Sequence, residues 1–107
     1  MKIKIKASKI ELTAAIENYI NEKISMLGKY LKKVDILNCD FEIEKSIGGQ
    51  NKGDIFRAEI NLEMPGEILR VKKTESDLYK AIDKVKDHLA EVIKKYKEKK
   101  IDKRRKG

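Results

Sequence analysis

Asp83, Asp87 and Glu91 recur at four-residue spacing, the interval that stacks side chains along one face of a helix. Three carboxylates so aligned could hold a divalent cation. Lys80, Lys86, Lys94 and Lys95 stand three or four positions away from them, and that spacing favours a ladder of solvated ion pairs instead. His88 is the only histidine and has no cysteine near it, so it reads as a surface or phosphate-facing imidazole. Cys39 alternates with Leu37 and Phe41 and reads as an inert core thiol. Being the only cysteine, it cannot form an internal disulfide, which suits a reducing compartment. "GGQNKGD" (48–54) lacks the G-x-x-x-x-G-K-[ST] order of a phosphate loop and precedes no helix; it is a hairpin loop. Nothing here pairs a nucleophile with a base. The sequence points to no enzyme, no cofactor, no metal and no small-molecule substrate.

Charge carries more information. The formal net charge is +8, with 26 basic and 18 acidic residues. Residues 94–107 hold nine of the basic and two of the acidic ones, a net of +7, which leaves 17 basic against 16 acidic elsewhere. So uneven a distribution points to an anionic partner, a nucleic acid or an anionic membrane surface. No apolar run approaches the ~20 residues of a membrane span. The opening Met-Lys-Ile-Lys-Ile-Lys alternates and does not form the apolar block of a signal peptide. A soluble cytoplasmic protein is expected.

The elements that would position those lysines follow from periodicity. Lys2 to Ala7 alternates as a half-buried strand. Thr13 can cap a helix whose apolar stripe is Ile16, Ile20, Ile24, Leu27 and Leu31, with Tyr19 and Tyr30 beside it. Leu37, Cys39, Phe41 and Ile43 share one face of a second strand, and Phe56, Ala58, Ile60 and Leu62 one face of a third. Pro65-Gly66 marks a tight turn into a fourth strand with Leu69 and Val71 inward. Ser76 or Thr74 is expected to cap a long second helix with Leu78, Ile82, Val85, Leu89, Val92 and Tyr96 as its stripe, widened by Ile93. The order is β-α-β-β-β-α. The fold class is α+β, with two helices on the one apolar face of a four-stranded sheet. Residues 1–101 form a single domain and 102–107 a basic, disordered tail.

The open sheet face offers no stacking platform for bases, because Phe41 and Phe56 both point inward. Its middle strands carry Asp40, Glu42, Glu44, Glu59 and Glu63. The helices are the better RNA surface. Their lysines lack interleaved aromatics, the pattern of phosphate contact without base reading. The expected RNA-binding residues are Lys23, Lys29, Lys84, His88, Lys94, Lys95, Lys97, Lys99 and Lys100.

Two stretches carry a family resemblance. In the first helix these are Thr13, Ala15, Tyr19-Ile20, Lys23, Leu27 and Lys29-Tyr30. In the second they are Asp77-Leu78-Tyr79-Lys80-Ala81-Ile82-Asp83 and the alternating Lys95, Lys97 and Lys99. Together they resemble the ribosome hibernation promoting factor family, which includes ribosome-associated inhibitor A. The resemblance covers nearly the whole chain, although His88 and Glu91 stand where the family usually carries Lys and Arg. It implies binding to the small ribosomal subunit and its rRNA between head and body, over the decoding region. There the protein would compete with messenger and transfer RNA and silence translation under stress, performing no chemistry. Longer members append a C-terminal dimerising domain, so the chain is a short member or the N-terminal piece of a long one. Two other readings remain. One is a general double-stranded RNA module with an α-β-β-β-α core; the other is a module whose basic helix meets an acidic protein.

Overall fold

The computed structural model describes residues 2–48 and 53–106, with the backbone alone for 101–106. The element order is β1 (Lys4–Ser8), α1 (Ala14–Ser25), β2 (Asn38–Ile47), β3 (Asp54–Met64), β4 (Glu67–Glu75) and α2 (Leu78–Lys106). The strands lie in the order β1-β2-β3-β4. β1 pairs parallel with β2, which requires the crossover that α1 supplies, and the other two pairings are antiparallel. This is the α+β arrangement expected from the sequence.

One core holds the layers together. Cys39, Phe41, Ile43, Ala58, Ile60 and Leu62 are fully buried on the inner sheet face, and Leu69 and Val71 join them from β4. Ile16, Ile20, Ile24 and Leu27 descend from the α1 side, and Leu78, Ala81, Ile82, Val85, Leu89, Ile93 and Tyr96 from α2. No polar or charged side chain is buried among the described residues. Every charge is therefore held at one of two outer surfaces.

Several boundaries differ from the expected ones for local reasons. Thr13 caps α1 as expected, its Oγ1 accepting from the Ile16 N–H at 3.2 Å. The helix ends at Ser25, however, and does not reach Leu31. From there the chain tightens into i→i+3 turns, among them Leu27 N–H to the Ile24 carbonyl and Tyr30 N–H to the Leu27 carbonyl. A Cβ at Gly28 would lie 3.2 Å from the Ser25 carbonyl oxygen, so glycine eases this tightening. Lys33 then takes a left-handed φ of 67°. As a result Lys29, Lys32 and Lys33 sit on a turn segment after α1, not on the helix itself.

At α2 the cap is Asp77, not Ser76 or Thr74. Its carboxylate accepts from the Tyr79 N–H at 2.9 Å and its carbonyl from the Ala81 N–H. Thr74 is spent inside β4. Ile93 occupies the core while Val92 is half-buried, so the stripe rotates slightly from the expected line. Leu37, expected inward, is 62% exposed; it lies just before β2, which begins at Asn38. Met64 pairs with Glu67 across Pro65-Gly66, and Gly66 has φ +78°, the value the second residue of a type II turn requires. The tip of the expected hairpin at 49–52 lies outside the described residues, but Gly48 N–H bonds the Gly53 carbonyl at its base.

α2 continues as helix to Lys106, through the segment expected as a disordered tail. Runs of Lys, Glu and Arg are good helix formers, so the backbone has no local reason to stop. Its 29 residues make a rod of about 43 Å. Among the residues whose side chains are described, the last buried one on α2 is Tyr96.

The open sheet face is polar and charge-balanced. Lys4, Lys6, Arg57, Arg70 and Lys72 supply five cations, and Asp40, Glu42, Glu44, Glu59 and Glu63 five anions. In register, Lys6, Glu42, Glu59 and Lys72 form one row across all four strands. Glu42 and Glu59 are like charges directly opposite each other, which is unfavourable by itself. Arg57 resolves the conflict. Its Nη2 lies 2.7 Å from Glu42 and 3.5 Å from Glu44, and its Nη1 2.9 Å from Glu59. The hydrogen bond to Glu42 holds the guanidinium pKa above its usual value.

Replacing Arg57 with Met should cost about 1–2 kcal/mol in urea unfolding, because three carboxylates lose their shared cation. Adding Glu42→Gln to that variant should recover part of the loss. A double variant no better than Arg57→Met would mean that like-charge repulsion is not what Arg57 relieves.

Candidate RNA-binding surface

The helix side divides into a junction where charge is consumed and a region where it is free. At the junction, Tyr19 Oη donates to Asp83 Oδ1 at 2.7 Å, and Lys23 Nζ approaches the same oxygen at 3.5 Å. Tyr79 meets Tyr19 edge to face, with ring centroids 4.7 Å apart. Lys23 also lies over the Tyr19 ring, 5.1 Å from its centroid. The hydrogen bond to Asp83, followed by burial and the charges of Asp83, Glu22 and Asp77, pushes the Tyr19 phenol up to about 12. α1 and α2 are thus pinned by polar contacts above the core, across a sequence separation of 64 residues.

Further along, the turn after α1 meets α2 through a single ring. Lys29 Nζ is 5.1 Å and Lys94 Nζ 5.0 Å from the Tyr30 centroid. One turn beyond the core, Lys100 covers Tyr96 at 5.3 Å. Among the described residues, Lys29, Lys94, Lys95, Lys97, Lys99 and Lys100 have no ion-pair partner. Helical spacing puts Lys94 and Lys97 on the side of α2 that faces Tyr30, and Lys95 and Lys99 on the flank nearer β4. The surface is broad, cationic and shallow, a shape suited to a folded polyanion.

The family model described as "Sigma 54 modulation protein / S30EA ribosomal protein" matches residues 3–101. The chain belongs to that family. It is 28% identical over 98 residues to a ribosome hibernation promotion factor of Deinococcus radiodurans, covering 92% of this chain and 50% of that protein. It is also 28% identical over 99 residues to a ribosome hibernation promoting factor of Pseudomonas putida, covering 92% and 89%. The chain therefore spans about half the length of several curated relatives and most of another. Its fold superposes on the crystal structure of the Thermus thermophilus Protein Y N-terminal domain with a TM-score of 0.68 at 31% identity, covering 90% of this chain and 99% of that one. A ribosomal subunit interface protein from Coxiella burnetii shares the fold at a TM-score of 0.70 and 16% identity, covering 91% and 98%.

The nine residues expected from sequence do not form one set. Lys23 is engaged by Asp83, and Lys84 pairs with Glu75 at 3.0 Å. His88 lines a shallow depression with Lys73, Lys84, Asp87 and Glu91, its Nδ1 buried. The other six are the unpaired lysines. Sequence reasoning missed two features. Asp83, expected in an ion-pair ladder along its own helix, instead bridges to α1. Lysines expected to lack aromatic neighbours have Tyr30 and Tyr96 beside them. The adjacent Lys29-Tyr30 pair was a local signal of this, but the approach of Lys94 depends on how the two helices pack.

An alkaline titration followed by phenolate absorbance should show one of the four tyrosines ionising near pH 12, well after an ordinary phenol at 10. Because the folded value is raised, the stabilisation from Tyr19–Asp83 is complete below pH 10 and is lost as pH climbs from 10 through about 12. Tyr19→Phe should remove the late transition, and Asp83→Asn should bring it earlier. The absence of any late phenol transition would rule the bond out.

Proposed function

We propose that this chain binds the small ribosomal subunit through the unpaired helix-side lysines, which contact rRNA phosphates. It occupies the decoding region between head and body, excludes messenger and transfer RNA, and holds the ribosome inactive. The observation that carries this reading is the separation of charge. The paired strands of the open sheet face carry five cations and five anions, whereas residues 94–100 of α2 carry five lysines against one acid, Glu98, and none of the five has an ion-pair partner among the described residues. Membership of a family whose relatives are named ribosome hibernation factors supports reading the polyanion as ribosomal RNA. A ribosomal partner implies a cytoplasmic location, and no described helix is long and apolar enough to cross a membrane. No enzymatic step is assigned, since occupancy alone accounts for inhibition.

Co-sedimentation with purified small subunits tests this reading. Binding should fall by about two to three orders of magnitude between roughly 50 and 200 mM salt if five or six phosphates are engaged. Prebound messenger and transfer RNA should reduce it. Lys95, Lys97 and Lys99 changed together to Gln should leave the melting temperature nearly unchanged, since exposed charges contribute little to stability. The same variant should lose most subunit binding and most inhibition of translation in vitro. Glu42→Gln and Glu59→Gln on the sheet face should change neither. A flat salt dependence, or equal binding to any RNA duplex, would contradict the proposal.

A further inference from the structure

We infer that Tyr30 is a positioning residue that joins Lys29 and Lys94 into one phosphate-gripping pair; this rests on the function proposed above. Lys29 lies on the turn segment after α1, and Lys94 lies on α2, 65 positions later. Neither has an ion-pair partner among the described residues to fix its long side chain. Both ammonium groups nevertheless lie about 5 Å from the centre of the same ring. The two nitrogens are then at most about 10 Å apart, the sum of the two distances, which is near one screening length at physiological salt.

Two cations held that close repel each other, and the negative ring face offsets part of the repulsion. An incoming phosphate offsets the rest. Tyr30 can hold this position because its ring is itself half-buried and packed against the core, anchored through Leu27 and Leu31 on the same turns. Lysine loses much rotamer freedom when it grips a phosphate, and a ring that has already narrowed that freedom lowers the cost of binding. The position differs in kind from that of Lys23, which also lies near a tyrosine ring but whose charge is taken by Asp83.

Tyr30→Phe and Tyr30→Leu separate the ring from its bulk, with folding checked by melting temperature and circular dichroism. Phe keeps the ring face and should bind small subunits as the parent does. Leu keeps an apolar anchor but no ring, and should bind about five- to thirty-fold more weakly, the range set by two exposed cation–π contacts. In the Leu background, Lys29→Gln and Lys94→Gln should each cost less than in the parent, because the pair is already uncoupled. A second readout needs no ribosome: the side-chain NMR signals of Lys29 and Lys94 should carry ring-current shifts in the free protein that vanish in Tyr30→Leu and persist in Tyr30→Phe. Absent shifts, equal binding by Tyr30→Leu and the parent, or loss of binding in Tyr30→Phe would each overturn the inference. If the shifts are present but the parent does not bind subunits, the ring–lysine geometry stands while the functional reading fails, and with it the assignment of Tyr30 to phosphate gripping.

Discussion

The alternation along β2 and β3 sends their large apolar side chains, Ile55 excepted, to one face, and both helices must bury their stripes there. That single-sided burial governs the rest of the structure. With no charged side chain buried among the described residues, 41% of the sequence has to be accommodated on two opposed exteriors. The two are treated differently. On the sheet face, cross-strand register sets cations beside anions in three rows, and Arg57 joins the one place where two glutamates face each other. On the helix side, Asp83 and Glu75 engage Lys23 and Lys84, while Lys94, Lys95, Lys97, Lys99 and Lys100 have no ion-pair partner among the described residues.

The polar junction explains why the two helical stretches that carry the family resemblance contain the residues they do. Tyr19, Lys23, Tyr79 and Asp83 converge on one spot where α1 crosses α2. They fix the relative placement of two helices whose lysines would otherwise be arranged only by the less directional packing of Ile20, Ile24, Ile82 and Val85 below them. A weakly specific phosphate surface of the kind proposed needs a defined shape, because a folded RNA carries its phosphates at set positions. On the proposed function the junction would serve recognition without touching the ligand.

The fold was legible in the sequence because each element has a strong period. Strict alternation gave the strands, four-and-three spacing gave the helices, and Pro65-Gly66 gave a turn that only a positive φ at Gly66 satisfies. Errors occurred where local rules compete. Gly28 let the end of α1 tighten into three-residue turns and moved Lys29 off the helix, while Asp77 outcompeted two hydroxyl residues for the α2 cap. The candidate site was less legible. Composition located the cationic end, but which lysines are engaged by acids depends on pairs such as Lys23–Asp83 and Lys84–Glu75, which are remote in sequence. The contact of Lys94 with Tyr30 is hidden for the same reason.

The claim that the helix side, and not the sheet, meets RNA can be tested without any mutation. Lysine amines of the free and subunit-bound protein would be acetylated briefly and quantified by mass spectrometry. We expect Lys29, Lys94, Lys97 and Lys100 to become protected on binding, while Lys4, Lys6 and Lys72 on the sheet face keep their reactivity. Protection of the sheet-face lysines with the helix-side set unchanged would contradict the assignment of faces and the function built on it.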